Sequence, residues 1–222
     1  MLLKSILEES NNRFLTYYQF VKSEDHKMII FLNGATSSGK TNIAKSIQHL
    51  DSRAWLTLGI DTMINMMPSK YWAGGEKADE GFHFVPGKDE HGSIMSVQAG
   101  EFGRKVSNAV IDIASVLSEK GFDLIIDEVL IGDEVLKNYV ANLSPFTVYF
   151  VGVHCERTIL EEREMLRGDR FIGSGRDQMK RCHGSTRNYD IEVDTTHDSS
   201  FHCARQILDF IAKESAPKSF KT

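Results

Sequence analysis

The chain has 222 residues, of which 41% are hydrophobic and 26% charged, and its formal net charge is -5. This composition belongs to a globular protein with one core and excludes collagen, coiled coil and wholesale disorder. With 26 basic against 31 acidic side chains, nucleic acid is not an expected partner, since neutralising phosphates takes clustered cations. No apolar run approaches the ~20 residues of a membrane helix, so no membrane partner is expected either. Residues 1–26 read as an N-terminal extension. Leu2, Leu3, Ile6, Phe14, Leu15 and Tyr18 make one helical stripe, and Lys4, Glu8 and Glu9 spoil any signal peptide. The polar stretch Lys22 to His26 closes it.

From Lys27 strands alternate with helices. Met28 to Leu32 is a continuous apolar run, as in a strand buried on both faces. A glycine-rich loop follows, then Ile43, Ala44, Ile47 and Leu50 at helical spacing. Trp55 to Ile60 reads as a second strand. Pro68 to Gly103 interrupts the alternation, carrying seven glycines besides Tyr71, Trp72, Phe82 and Phe84. It reads as a long aromatic loop, a feature usually functional in a compact domain. Val106 to Leu117 is an amphipathic helix stopped by Gly121. Phe122 to Ile126 and Thr147 to Val153 are further strands. Glu156 to Arg167 is a charged helix closed by Gly168. Ile191 and Val193 mark a short fifth strand, a last helix runs near His202 to Ala212, and 214–222 reads as a polar tail. The predicted fold is α/β, a parallel five-stranded sheet with helices on both faces, over residues 27–213.

Gly34-Ala35-Thr36-Ser37-Ser38-Gly39-Lys40-Thr41 matches the phosphate-binding pattern GxxxxGK[ST] at every fixed position. Glycines let successive backbone N–H groups turn toward phosphate oxygens, and the following helix adds its positive end. Lys40 reaches the terminal phosphates, and the Thr41 hydroxyl binds Mg²⁺. The flanking strand and helix are the context that such a motif requires. The expected cofactors are therefore ATP and Mg²⁺.

Ligands of open α/β sheets sit beyond the carboxyl ends of the strands. Asp127 closes Leu124-Ile125-Ile126 and reads as the second Mg²⁺ residue. Asp61 ends Leu58-Gly59-Ile60 and has two readings, a base for an acceptor hydroxyl or the N-cap of the next segment. Glu128 is a weaker candidate for either carboxylate role. Arg163 and Arg167 share a helix face, and with Arg170 they either neutralise a transferring phosphoryl group or form a solvated face paired with Glu161, Glu162 and Glu164. Gly168 beside them suggests the hinge of a lid. Cys182-His183 and His202-Cys203 lack metal-ligand spacing. Together with Cys155 these thiols suit a reducing cytoplasm.

Taken together, these segments resemble the chloramphenicol phosphotransferase-like family of P-loop kinases. The matching pieces are Ile30 through Thr41, Leu58 to Asp61, Ile126 to Val129, Arg163 to Arg170 and Tyr189 to His197. The resemblance implies an ATP-dependent kinase that phosphorylates a small-molecule hydroxyl, chloramphenicol-like by family, and hence a role in antibiotic resistance. It assigns Asp61 as the base, the three arginines to a phosphate-facing lid, and Asp194 to Thr196 to the nucleotide's base site. The acceptor falls in Pro68 to Gly103, which matches the family only loosely. A metabolite or nucleotide-sugar kinase, or a nucleotide-binding regulatory module that docks a partner on 68–103, are the alternative readings.

Overall fold

A computed structural model of the chain describes residues 27–168, 171–184, 186–213 and 216–220; the expected N-terminal helix over 1–26 lies outside them. Five strands, β1 (Met28–Asn33), β2 (Trp55–Gly59), β5 (Asp123–Glu128), β6 (Thr147–His154) and β7 (Ile191–Asp194), form one sheet. Its spatial order is β2-β5-β1-β6-β7, and every pairing is parallel. Parallel strands need long crossovers, and helices supply them. They are α1 (Lys40–Leu50), α2 (Ile60–Met66), α3 (Glu101–Glu119), α4 (Asp133–Leu143), α5 (Arg157–Arg167), α6 (Ser174–Cys182) and α7 (Ser200–Lys213).

The central strand β1 is buried along its whole length, and its alternate residues feed two cores. Ile30 and Leu32 pack with Ile43 and Ile47 of α1 and Ile207 of α7. Ile29 and Phe31 pack with Val110 and Ala114 of α3 and Tyr139 and Leu143 of α4. This makes a three-layer sandwich. The fully apolar strand reads as it does because both its faces are covered.

Four segments differ from the sequence reading. Pro68 to Gly103 is not a structureless loop. After a 3₁₀ turn at Ser69–Tyr71, it forms an antiparallel hairpin, β3 (Phe82–Asp89) with β4 (Gly92–Ala99). Pro86 and Gly87 lie inside β3 and hide it, because proline and glycine inside a strand are tolerated mainly on edges. Helices α4 and α6 were not anticipated; α6 follows a glycine and is short and polar. The presumed polar tail is docked in its described part: Phe220 is buried against Phe31 and Phe150, and Asp190 accepts from the backbone N–H groups of Lys218 and Ser219. Among the described residues no helix is long and apolar enough to cross a membrane.

The sheet's register places Leu32, Asp127 and Gly59 side by side at the ends of β1, β5 and β2. A Cβ at Gly59 would collide with the Asp127 carbonyl oxygen. Gly59→Ala is therefore expected to destabilise the protein by about 2–3 kcal/mol, the usual cost of overpacking. Gly74→Ala, with nothing near its Cβ, should stay within about 0.5 kcal/mol. Chemical denaturation of the two variants checks this, and equal midpoints would show that the strand ends have room to part.

Candidate active site

The backbone between β1 and α1 turns through left-handed conformations at Ser37 (φ 61) and Gly39 (φ 97). Such strain at a non-glycine residue persists only where the surroundings hold it, typically at a functional loop. No side chain caps α1 at Gly39, so the helix's first N–H groups and its positive end remain available. Lys40 Nζ is folded back and donates to the carbonyl oxygens of Gly34 and Ala35, both at 2.9 Å. The hydroxyls of Ser37 and Ser38 are buried with no hydrogen-bond partner. Unpartnered buried hydroxyls are uncommon in folded proteins. Two of them, beside a buried lysine and a bare helix N-terminus, fit a polyanion such as a nucleotide's phosphates.

Thr41 donates its hydroxyl hydrogen to Asp127 Oδ2 at 2.7 Å, and Lys40 Nζ lies 3.6 Å from Asp127 Oδ1. The two residues expected to hold Mg²⁺ thus meet, one at the head of α1 and the other at the end of β5. A hydroxyl next to a carboxylate is an all-oxygen donor set, which suits Mg²⁺. Asp61 lines the same cleft as Lys40, Thr41 and Asp127. It sits in the first turn of α2, while Gly59 occupies the N-cap position, so the capping reading of Asp61 is set aside.

Arg163 donates to Thr195 Oγ1 at 3.0 Å and to the Thr195 carbonyl at 2.7 Å. Thr195 in turn donates to the Ser38 carbonyl at 2.7 Å, which ties the phosphate loop, β7 and α5 together. Two of the three glutamates expected to pair with Arg163 are engaged elsewhere. Glu164 is fully buried and accepts from Gly173 N, Ser174 Oγ and Gly175 N. Glu161 pairs with Arg157 and Arg176. Arg167 lines the cleft beside Arg163, and Arg170 lies outside the described residues. Of the segment assigned to the nucleotide base, Thr195 faces the phosphate loop and Asp194 accepts from Thr196.

The cleft, about 930 Å³, continues past Asp61 to the hairpin. One wall is aromatic: Trp72 stands 5.6 Å from Phe84, whose ring lies 4.3 Å from Phe171. The lining also carries Arg104 and Asn108 from α3 and Asn138 from α4.

Comparison with known proteins follows this geometry. The sequence pattern described as chloramphenicol phosphotransferase-like protein matches residues 27–212. The chain belongs to the chloramphenicol phosphotransferase-like family. A protein named "Putative O-phosphotransferase", known from two strains of Mycobacterium tuberculosis, is 27% identical over 193 residues, covering 86% of this chain and 85% of its own. Among solved structures, the Mycobacterium tuberculosis APS kinase CysC in complex with AMPPNP and APS is similar with a TM-score of 0.56 at 14% identity, covering 84% of this chain and 98% of that one. A gluconokinase from Sinorhizobium meliloti has a TM-score of 0.52 at 14% identity, covering 85% and 93%. The fold is that of P-loop kinases, and family and fold together make this chain a phosphotransferase of the kinase type.

Within this family member, several cleft residues escaped the sequence reading. Arg104 and Asn108 recur at i and i+4 on the cleft edge of a helix whose core face, Val106 and Val110, dominated the pattern. Gln178 lies on α6, which was not anticipated at all. Glu128 was rated below Asp127, yet it is buried and lines the cleft. The three cysteines are free and buried, and burial pushes the Cys182 and Cys203 thiols up to about 11. Burial, with His154 alongside, pushes His183 down to about 4. Among the described residues no cluster of three or more His, Cys, Asp and Glu side chains is placed to hold a metal.

Burial pushes Glu128 from its ordinary 4.5 up to about 7, against the hydrogen bond it accepts from Tyr139. A raised carboxyl pKa means that the folded state holds a proton which the unfolded chain has lost, so stability falls as pH rises from 4.5 through 7. Glu128→Gln removes this dependence. In nucleotide-free and Mg²⁺-free protein, the variant should gain about 1–3 kcal/mol on the wild type between pH 5 and pH 8. Denaturation at the two pH values checks this, and a constant difference would mean that the carboxyl titrates as if in water.

Proposed function

We propose that this phosphotransferase moves the γ-phosphate of ATP to a hydroxyl of a small molecule. One observation carries the reading: a single cleft joins the phosphate loop, the Thr41–Asp127 pair and Asp61 to a chamber with one aromatic wall. Mg²⁺-ATP, when bound there, would supply an activated phosphoryl group to that chamber. The loop Gly34 to Thr41 holds the phosphates through those N–H groups that its own hydrogen bonds leave open, and Thr41 and Asp127 hold the ion. Lys40 exchanges two loop carbonyls for phosphate oxygens. Asp61 accepts the proton of the acceptor hydroxyl as its oxygen bonds to phosphorus and the bond to the β,γ-bridging oxygen breaks. Arg163 and Arg167, with Arg170, offset the charge on the transferring group, and Asp194 to Thr196 border the nucleotide's base.

By family, the acceptor is chloramphenicol-like, and Trp72 and Phe84 suit its aromatic ring. A second acceptor reading, a metabolite or nucleotide sugar, is favoured by Arg104, Asn108 and Asn138, polar side chains in the same lining that suit an acceptor rich in hydroxyls or carrying a phosphate. A regulatory nucleotide-binding module would have no use for an acceptor chamber.

Phosphorus NMR of the protein with Mg²⁺-ATP, with and without chloramphenicol and then a panel of hydroxyl acceptors, tests the reading. A new phosphomonoester resonance is expected. Lys40→Ala should abolish it. Asp61→Asn should keep nucleotide affinity while lowering turnover by about 10²–10⁴-fold, the range for losing a general base. ATP consumed only to free phosphate would favour the regulatory module, and an unchanged rate in Asp61→Asn would remove the base assignment.

A further inference from the structure

Helix α6 contributes little to either core, yet it touches three parts of the site. Its first turn is clamped to α5 by Glu164, which is fully buried and accepts from Gly173 N, Ser174 Oγ and Gly175 N. Gly173 is left-handed (φ 87), and a Cβ there would lie 2.7 Å from the Ser93 carbonyl oxygen, so this turn abuts the hairpin backbone directly. Arg176 has a side chain only 7% exposed. It sits 3.2 Å from Asp89, donates to the Ser93 carbonyl at 2.6 Å, and pairs with Glu161 of α5. Lys180 adds a second tie, to Glu90 at 2.9 Å. Gln178 is two residues from Arg176, hence about 200° round the helix. Its Oε1 accepts from Thr36 N of the phosphate loop at 2.7 Å.

A buried guanidinium is an expensive way to hold two elements together. Well-packed apolar side chains serve stability as well or better, whereas charged pairs with directed hydrogen bonds fix geometry. Asp89 to Ser93 do not line the cleft, so the cost is not explained by contact with a ligand.

We propose that Arg176 and Gln178 are positioning residues: they make α6 a strut that sets the acceptor-side hairpin relative to the phosphate loop and the α5 arginines. Building on the proposed nucleotide site, this assigns the hairpin's order to the state of the loop. Nucleotide held at Gly34 to Thr41 steadies Thr36, Gln178 and α6, and through Arg176 it steadies β3 and β4. Acceptor held by the hairpin acts back on the loop with the same coupling free energy, because binding linkage is reciprocal.

Hydrogen exchange of the full chain with Mg²⁺ and AMPPNP tests the strut without an acceptor. In the wild type, exchange is expected to slow over residues 34–42 and, through the strut, over the hairpin 82–99 by at least about threefold. Gln178→Met and Asp89→Asn cut the strut at opposite ends. Both should lose the hairpin's protection; Asp89→Asn, away from the cleft lining, should in addition keep the protection of 34–42 and a nucleotide Kd within about threefold of wild type. Asp89→Asn, an isosteric change at the end of β3, keeps the test open should Gln178→Met fail to fold. Wild-type protection confined to 34–42, or hairpin protection unchanged in both variants, overturns the proposal. Absence of protection at 34–42 itself would instead overturn the nucleotide site, and the strut with it.

Discussion

The site rests on the register of three parallel strands. β1 must deliver Leu32 to the mouth of the phosphate loop just where β5 delivers Asp127 and β2 delivers Gly59. A slip of one residue would turn Asp127 to the opposite face, since side chains alternate along a strand. Burial of β1 on both faces specifies that register: Ile29 and Phe31 belong to one core, Ile30 and Leu32 to the other, and a slip would exchange them. The energy holding the Thr41–Asp127 pair together therefore comes from apolar surface well away from it. The 2.7 Å hydrogen bond is a consequence of that packing.

Around this frame the polar groups divide by what satisfies them. Arg163, Thr195 and the Ser38 carbonyl form a closed chain, so the arginine is held in place before any ligand arrives. That order lowers the entropy lost on binding. Ser37 and Ser38 are left with unmatched hydroxyls, and Glu128 is left in surroundings that disfavour its charge. Unsatisfied groups of this kind cost stability in the ligand-free protein. Their position in the loop and beside Asp127 puts that cost where phosphates and a cation would relieve it.

Much of this was legible in the chain. All five sheet strands, the phosphate loop, Asp127 as a strand-end carboxylate and the α5 helix closed by Gly168 follow from apolar runs and glycine positions, which are local signals. The hairpin was not legible. Pro86 and Gly87 within β3 read as loop residues, and the strand exists because β4 pairs with it and α6 packs on β4. Nor was α6, whose polar face is explained only by Glu164, Asp89 and Thr36, residues distant in sequence. Phe220 looked like part of a polar tail until the space between Phe31 and Phe150 was seen.

By itself the sequence determined the kind of fold and the chemistry of the phosphate end. Burial of a continuous apolar strand and the N–H geometry of a glycine-rich turn are properties of consecutive residues, and they hold wherever the segment sits. Tertiary structure alone decided that Asp61 stands in a helix's first turn over the same cleft as Lys40, and that Arg163 is anchored on Thr195 and not on its neighbouring glutamates. It also decided that the acceptor end has both aromatic and polar lining. Those features depend on which side chains from separate elements meet, and on how burial reprices their charges, and neither is a function of spacing along the chain.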